Sequence, residues 1–165
     1  MPLRRVDPNT PRSRVYRFWT DFGRSRAGRA FARHVATRID PPLYRLSRGR
    51  YPPTWSVPTA PLQTTGARSG HRRETQVLYF HDGDDVILIA SNFGGESHPA
   101  WYHNLLANPS CRLGDESFTA ATVADPIDYR RLFAAAERVY AGFADYRATT
   151  ASLGRTIPVL RLTPV

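Results

Sequence analysis

An Asp-Gly turn between two strand-like segments is the feature that most constrains how this chain can fold. The tetrapeptide His81-Asp82-Gly83-Asp84 separates a strand-like segment at residues 74–80 from the continuous apolar run at residues 85–90. Asp-Gly is a strong short-range hairpin signal because glycine readily adopts the positive φ that the turn requires. The two segments are therefore predicted to be neighbouring antiparallel strands.

The rest of the C-terminal two thirds continues this arrangement. Further strands are predicted at residues 62–65, 110–113, 118–123 and 157–162, with turn signals at residues 66–70 and at Gly114-Asp115. One helix is predicted to begin at His98 or Pro99 and to end near Asn108-Pro109, and another to span residues 125–140, with Asp125 as its cap. Strands and helices do not alternate strictly, so we expect an α+β domain, an antiparallel sheet or small barrel with flanking helices.

The first third of the chain carries the whole net charge. Residues 1–50 hold 13 arginines against three aspartates, and the formal net charge of the chain is +9. Residues 1–13 contain three prolines and are expected to be disordered. An amphipathic helix with the apolar stripe Val15, Phe18, Trp19 and Phe22 is predicted to follow. Residues 1–38 are thus predicted to be a basic arm, residues 39–61 a proline-rich linker or wrapping segment, and residues 62–165 the folded domain.

A basic arm of this kind attracts anions such as acidic lipid headgroups, nucleic acid or an acidic partner, although a solvated arginine-rich helix explains the same pattern. No motif for reading bases is recognisable, so nucleic acid is not the expected partner. No apolar run approaches the roughly 18 residues of a membrane-spanning helix, and no secretory signal is present. We expect a cytoplasmic protein that binds peripherally, through the arm, to the inner face of the plasma membrane. The single cysteine, Cys111, fits a reducing compartment.

Several common active-site motifs are absent from the sequence. His98 and His103 lie five positions apart and no Cys-x-x-Cys or His-Glu-x-x-His motif accompanies them, so no metal site is expected. There is no Gly-x-Ser-x-Gly nucleophile elbow and no phosphate-binding loop of the nucleotide-binding types.

Two stretches have the chemistry of a ligand site. Residues 64–73, TTGARSGHRR, gather hydroxyls, turn amides and three arginines, which suits a phosphate ester as well as an ordinary solvated hairpin. Residues 91–104, SNFGGESHPAWYHN, leave a buried strand through two glycines and enter a helix with Trp101 and Tyr102. These residues could line a planar, anionic cofactor, or Trp101 and Leu105 could simply dock the helix.

Three segments together, LQTTGARSGHRRE, VLYFHDGDDVILIASNFGGESHPAWYHNLLANPS and RTIPVLRLTP, resemble the deazaflavin-dependent nitroreductase family. Its members are actinobacterial oxidoreductases that use reduced coenzyme F420 and belong to the flavin/deazaflavin split β-barrel superfamily. The resemblance runs from about Leu62 to the C-terminus. It implies a split β-barrel like that of FMN-binding and pyridoxamine-phosphate-oxidase proteins, with the cofactor in a groove between barrel and helix.

The resemblance also implies which residues bind the cofactor. Arg68, Ser69 and Arg73 correspond to positions at its phosphate and acidic tail, and Gln76 stands where a proline is usual. The positions along the linker and redox ring are Ser91, Asn92, Phe93 and Gly94 on the loop, and Ala100, Trp101 and Asn104 on the helix. Asn92 replaces a lysine found in some members.

The function implied by the resemblance is hydride transfer from reduced F420 to a quinone, a nitroaromatic compound or an activated enone. Phe143 lacks the hydroxyl of a tyrosine that assists protonation in the family, so that the proton would come from Tyr140, Tyr146, Ser91 or water. Two alternatives remain open: a carrier of F420 or FMN with little catalysis, whose arm binds lipid or nucleic acid, and an FMN enzyme on the same barrel. Either a monomer or a homodimer is compatible with the sequence.

Overall fold

The computed structural model describes residues 3–11, 16 and 57–165, and everything structural below refers to these residues. In chain order the elements are β1 (Thr59–Thr65), β2 (Arg72–Asp82), β3 (Asp85–Ile89), a short 3-10 turn (Asn92–Gly94), α1 (Ala100–Ala107), β4 (Ser110–Leu113), β5 (Glu116–Thr122), α2 (Pro126–Val139), α3 (Gly142–Ser152) and β6 (Val159–Pro164).

The strands form a closed antiparallel barrel in the order β1-β2-β3-β6-β5-β4. The barrel closes where β1 pairs with β4, at Leu62 opposite Leu113. Residues that face each other across neighbouring strands share one side of the sheet. Leu88 and Leu160 form such a pair, and both are buried, as are Leu62 and Leu113. The structure therefore confirms the predicted α+β class and places the core inside a small barrel.

Helix α2 covers the outer side of the barrel at β3 and β6. Its apolar face, with Leu132 and Phe133 fully buried, lies against the side of the sheet on which Phe80 and Ile87 are also buried. The carboxylate of Asp125 accepts a hydrogen bond from the amide of Asp128 at 2.7 Å, and Pro126 follows in the first turn. The predicted cap and start of this helix are confirmed.

A carboxylate–guanidinium network fastens α2 to the strands. The Arg161 guanidinium on β6 donates to Asp85 at 2.8 Å and to Asp128 at 2.9 Å, and Arg131 on α2 donates to both oxygens of Asp82 at 2.7 and 2.8 Å. Hydrogen bonds from Arg131, followed by those from Arg161, hold the pKa values of Asp82 and Asp128 below their usual range. The network joins the β2–β3 turn, the first turn of α2 and strand β6.

Helix α3 was not predicted. Its buried positions include the polar Thr150 beside Phe143 and Tyr146, whereas the helix-favouring residues Ala144 and Ala148 are exposed. Apolar residues therefore do not recur with a helical period, and packing against α2 and the 3-10 turn stabilises the helix instead.

The prediction of disorder at the N-terminus is wrong for residues 3–11, of which residues 3–6 lie beside the end of β2 and reach Glu116 of β5. Val6 is 4% exposed and belongs to the core. The amide of His81 donates to the Val6 carbonyl at 2.8 Å, the Val6 amide donates to Nδ1 of His81 at 3.1 Å, and the Leu3 amide donates to Glu116 at 2.6 Å. We call residues 3–11 the N-terminal strap.

Most of the predicted arm and linker lies outside the described residues. Tyr16 is the described residue of that helix; it is buried, and its hydroxyl donates to the carbonyl of Val139. Strand β1 begins at Thr59, three residues before the predicted strand. No helix in the described ranges is both long and apolar enough to cross a bilayer.

We predict that the N-terminal strap makes folding stability depend on the protonation of His81. Nδ1 must be unprotonated to accept from Val6, and burial, helped by the charge of Arg5, lowers the pKa of His81 in spite of Glu116. Unfolding restores the ordinary pKa of about 6.5, so this contribution is fully present above that pH and is lost as the pH falls through the lowered folded value. Urea unfolding at a series of pH values measures it.

The matched variant is His81→Asn, whose side-chain carbonyl can accept the same hydrogen bond without titrating. The component of the pH dependence between the unfolded and folded pKa values should disappear in this variant. An unchanged pH profile would contradict the role assigned to His81.

Candidate functional site

The β1–β2 turn is a tight loop with exposed cations. The Gly66 amide donates to the His71 carbonyl at 2.9 Å, the Gly70 amide donates to the Gly66 carbonyl at 2.8 Å, and Gly70 has a φ of +66°. The arginines at positions 68, 72 and 73 are exposed and form no ion pair with any other described residue. Three guanidinium groups with free donors at one turn fit a phosphate or carboxylate ligand.

Asn104 of α1 holds this turn in place. Its Oδ1 atom accepts from the Ala67 amide at 3.0 Å, and its Nδ2 atom donates to the Thr64 hydroxyl at 3.0 Å. Asn104 and Thr64 are both buried. Asn104 therefore links α1 to the cation-bearing turn. That Asn104 also contacts the cofactor stays a prediction.

The loop after β3 is held in an unusual backbone conformation. Asn92 and Phe93 have φ values of 50° and 54°, a region that non-glycine residues seldom occupy and that often marks functional loops. The Gly94 amide donates to the Ser91 carbonyl at 3.1 Å, and the Asn92 side chain donates to the Ser97 carbonyl at 2.9 Å. Both donors therefore stabilise the loop itself. We call residues 91–94 the glycine turn.

Of the candidate proton donors, Tyr146 lies beside the glycine turn and Tyr140 lies next to Tyr146. The Tyr146 ring contacts the Phe93 ring edge-on, with centroids 6.3 Å apart, and a side chain added at Gly94 would press on Tyr146. The hydroxyl oxygens of Tyr140 and Tyr146 are 3.4 Å apart. Tyr146 is 4% exposed, whereas Tyr140 is only partly buried.

Phe143, the residue without the family's tyrosine hydroxyl, is buried in the core. Its ring centroid lies 5.5 Å from that of Tyr140 and 6.2 Å from that of Tyr146, and it also contacts Phe133. Gly142 is suited to this position because a side chain on it would overlap the Tyr140 ring.

The remaining predicted residues lie on α1, in the β1–β2 turn and on β2. On α1, Trp101 is partly buried against the core and Ala100 is exposed. Ser69, in the β1–β2 turn, is exposed and its hydroxyl accepts from the His71 amide at 3.3 Å. Gln76 lies on β2 opposite Pro61 and donates to the Thr59 hydroxyl at 3.1 Å, while its Oε1 atom is buried without a hydrogen-bond partner.

Sequence reasoning missed a groove and an arginine. The groove, about 300 Å³ in volume, lies next to the cation-bearing turn and is lined by Gln63, Thr64, Thr65, Arg72, Ser110, Cys111, Arg112, Ser117, Phe118 and Val165. Burial raises the pKa of the Cys111 thiol to about 11, so the thiol is protonated and unreactive at neutral pH.

The arginine is Arg155, which donates to the Ser91 carbonyl at 2.7 Å. The only sequence signal for it was its position at the start of RTIPVLRLTP.

A closed antiparallel barrel with a cation-bearing turn and a glycine turn next to aromatic side chains is the arrangement expected of a split-barrel, cofactor-dependent oxidoreductase. The sequence model of the F420H(2)-dependent quinone reductase family matches residues 36–164. The chain belongs to this family.

Individual relatives agree with this assignment. An F420H(2)-dependent quinone reductase of Mycobacterium tuberculosis is 34% identical over 144 residues, which cover 79% of this chain and 93% of the relative. A solved F420-H2 dependent reductase, FDR-A, is 30% identical with a TM-score of 0.54 and covers 64% of this chain and 93% of its own. A second solved chain, described as a domain-swapped dimer, is 26% identical with a TM-score of 0.56, covering 76% of this chain and 96% of its own.

These findings confirm the predicted family resemblance, the split β-barrel, the oxidoreductase class and the dependence on coenzyme F420. The donors present fit such a cofactor, because the unpaired guanidinium groups at the β1–β2 turn suit its phosphate and acidic tail. The individual site residues remain predictions.

We predict that Asn104→Ala will lower the free energy of unfolding by about 1–3 kcal/mol, because it leaves the buried Thr64 hydroxyl and the Ala67 amide without their partner. It should also speed hydrogen exchange at Ala67. Asn108→Ala, at the end of the same helix, serves as the control. Equal stability of the two variants in urea unfolding would contradict the bridging role of Asn104.

Proposed function

We propose that this protein is a reductase that transfers a hydride from reduced coenzyme F420 to a quinone. The observation that carries the proposal is the family match over residues 36–164, which includes every strand of the barrel and both ligand-suited turns. Nitroaromatic compounds and activated enones are further acceptors of the same electronic kind.

The β1–β2 turn and the glycine turn would hold the two ends of the cofactor. Arg68 and Arg73 are exposed and without ion-pair partners among the described residues, so they can bind phosphate and carboxylate groups, with Ser69 as a further donor. Ser91 and Asn92 would follow the linker and ring. When bound, the reduced deazaflavin supplies a hydride from its ring carbon.

The side chains around the glycine turn would orient the ring and exclude water from it. Phe93 and Trp101 present partly buried aromatic surface, and Tyr146 closes the turn from the side of α3. Ser91 is 8% exposed, so its hydroxyl is shielded from bulk water. A dry, apolar wall protects a hydride donor from side reactions and strengthens the polar contacts within the site.

Reduction of a quinone to a hydroquinone requires two electrons and two protons, of which the hydride supplies both electrons and one proton. The Tyr140 hydroxyl is the best placed to supply the second proton to the quinone oxygen, because it is partly exposed and can be reprotonated from solvent. The buried Tyr146 hydroxyl, 3.4 Å away, would orient it. Ser91 remains a further candidate.

The location and the assembly follow from the acceptor and from a relative. Quinones dissolve in lipid, so the basic arm at residues 1–38 would bring the enzyme to an anionic membrane surface where its acceptor is concentrated. The relative described as a domain-swapped dimer makes a homodimer the assembly to test by light scattering.

We predict that Arg68→Ala and Arg73→Ala will each weaken binding of oxidised F420 by about 1–3 kcal/mol, the range for a lost charge-assisted hydrogen bond. Fluorescence titration with F420, with FMN in parallel, measures this, and FMN should bind far more weakly. Arg130→Ala, an exposed arginine on α2, should change neither affinity. Wild-type affinity in both variants would exclude the proposed tail site, and preference for FMN would favour the flavin alternative.

We also predict that Tyr140→Phe will lower kcat for menadione reduction by reduced F420 by about 100-fold, the contribution of a general acid, while the Kd for F420 stays unchanged. Tyr146→Phe should have a smaller effect. Tyr129→Phe removes a hydroxyl that bonds the Ile157 carbonyl instead, and its kcat should match the wild type. A full rate in Tyr140→Phe would assign the proton to Ser91 or water.

A further inference from the structure

Arg155 binds two parts of the candidate site from a position 64 and 57 residues away in sequence. Its NH2 group donates to the Ser91 carbonyl at 2.7 Å, and its NH1 group lies 3.0 Å from Nδ1 of His98. The Arg155 amide donates to the Thr150 carbonyl at 2.9 Å, which fixes the base of the side chain to the end of α3. One guanidinium therefore touches both the glycine turn and the segment that leads into α1.

The contact fixes the protonation state of His98. A guanidinium group can only donate, so Nδ1 of His98 must be the acceptor and the ring proton must reside on Nε2. The ring is also packed edge-on against Tyr102, with centroids 5.1 Å apart, and tilted against His103 at 6.1 Å. His98 therefore contacts the guanidinium in its neutral form, and its aromatic neighbours hold the ring in place.

The positive charge of Arg155 has no carboxylate partner among the described residues. Its bonded acceptors are a carbonyl oxygen and a neutral imidazole nitrogen, while its Nε atom is buried without a partner. Burial lowers the pKa of the guanidinium, so withdrawing this group from water carries a free-energy cost. An apolar side chain would avoid that cost but could not bond Ser91 and His98 together.

We infer that Arg155 is a positioning residue for the proposed F420 reaction, and that it locks the glycine turn onto the entrance to α1 with neutral His98 as the latch. The inference rests on the proposed function. The left-handed conformation of Asn92 and Phe93 is costly in itself, and the Arg155 bond to Ser91 lies immediately before it in the chain. Without that bond, the turn would keep the hydrogen bond from the Asn92 side chain to the Ser97 carbonyl but lose its tie, through Arg155, to the His98 side chain.

The latch depends on pH. Among the described residues, the charged and titratable groups that face His98 are Arg155, from the segment before β6, and His103 and Tyr102 of α1. Burial first, and then the charges of Arg155 and His103, lower the pKa of His98. The latch is closed above the ordinary histidine pKa of about 6.5 and opens as the pH falls through the lowered value, because a protonated ring cannot accept from a cation.

The first experiment uses the protein without cofactor. The His98 ring proton resonances are followed by NMR from about pH 8 to about pH 5, a range that spans the ordinary pKa of about 6.5. The pKa of His98 should rise in Arg155→Gln and stay low in Arg155→Lys, which keeps the charge. Arg138→Gln, an exposed arginine on α2, is the matched control and should leave His98 unchanged. The same pKa in Arg155→Gln and wild type would overturn the latch.

The second experiment measures binding of oxidised F420 by fluorescence over the same pH range. At the alkaline end Arg155→Gln should bind about tenfold more weakly than wild type, the loss expected for one charge-assisted hydrogen bond. Arg155→Lys should recover only part of the affinity, since an ammonium group cannot span both acceptors. His98→Asn keeps an acceptor that does not titrate, so it should bind well and lose the acid-dependent weakening.

The outcomes distinguish failure of the positioning role of Arg155 from failure of the proposed F420-dependent function. Equal F420 affinity in wild type and Arg155→Gln, or an unchanged acid profile in His98→Asn, would overturn the positioning role. Failure of the wild type to bind F420 at any pH would overturn the proposed function and, with it, the positioning role, whereas the NMR result would still decide whether the latch exists. Should Arg155→Gln not fold, the partial loss of affinity in Arg155→Lys and the acid profile of His98→Asn still test the positioning role, and wild-type affinity in Arg155→Lys would overturn it.

Discussion

Closure of the barrel through β1 and β4 is the constraint on which the rest of the structure depends. Strand β1 is bonded to β2 along its whole length and to β4 at Leu62 and Gln63, so that it has no free edge over that region. A strand held on both sides fixes the turn that follows it. Exposed arginines in that turn therefore project from a rigid support, although their own side chains make few contacts.

The two halves of the candidate site are then connected by side chains that bond to main-chain atoms. Asn104 bonds the Ala67 amide, and Arg155 bonds the Ser91 carbonyl. Main-chain atoms cannot change rotamer, so such bonds restrain the path of a loop more tightly than contacts between two side chains do. The β1–β2 turn is restrained in this way by Asn104 and the glycine turn by Arg155.

The sequence was sufficient for features with local causes and insufficient for those with tertiary causes. The Asp-Gly hairpin and the Asp125 cap depend on neighbouring residues, and both were predicted at the correct positions. Helix α3 was missed because its buried positions, although helically spaced, include Gly142 and the polar Thr150, so that no apolar stripe is visible in the sequence. The N-terminal strap was missed because a short, proline-bearing segment becomes ordered only through its partner, as Val6 does at His81.

The site shows the same division. Residue types and spacing were enough to locate the cation-bearing turn and the glycine turn, since their backbone and charge properties lie in contiguous residues. Arg155 was not recognised because its partners are 57 and 64 positions away, and nothing in its immediate surroundings marks it. The bridging role of Asn104 was likewise hidden, because the Thr64 hydroxyl it binds lies on β1, 40 positions away in sequence.

The N-terminal strap has a consequence for the order of folding during synthesis. The strap is synthesised before its hydrogen-bond partners, since His81 follows Val6 by 75 positions and Glu116 follows Leu3 by 113. Contacts of such long sequence separation form late and slowly. The strap must therefore wait, with Val6 exposed, until the barrel has been assembled, so that it is among the last of the described segments to reach its place.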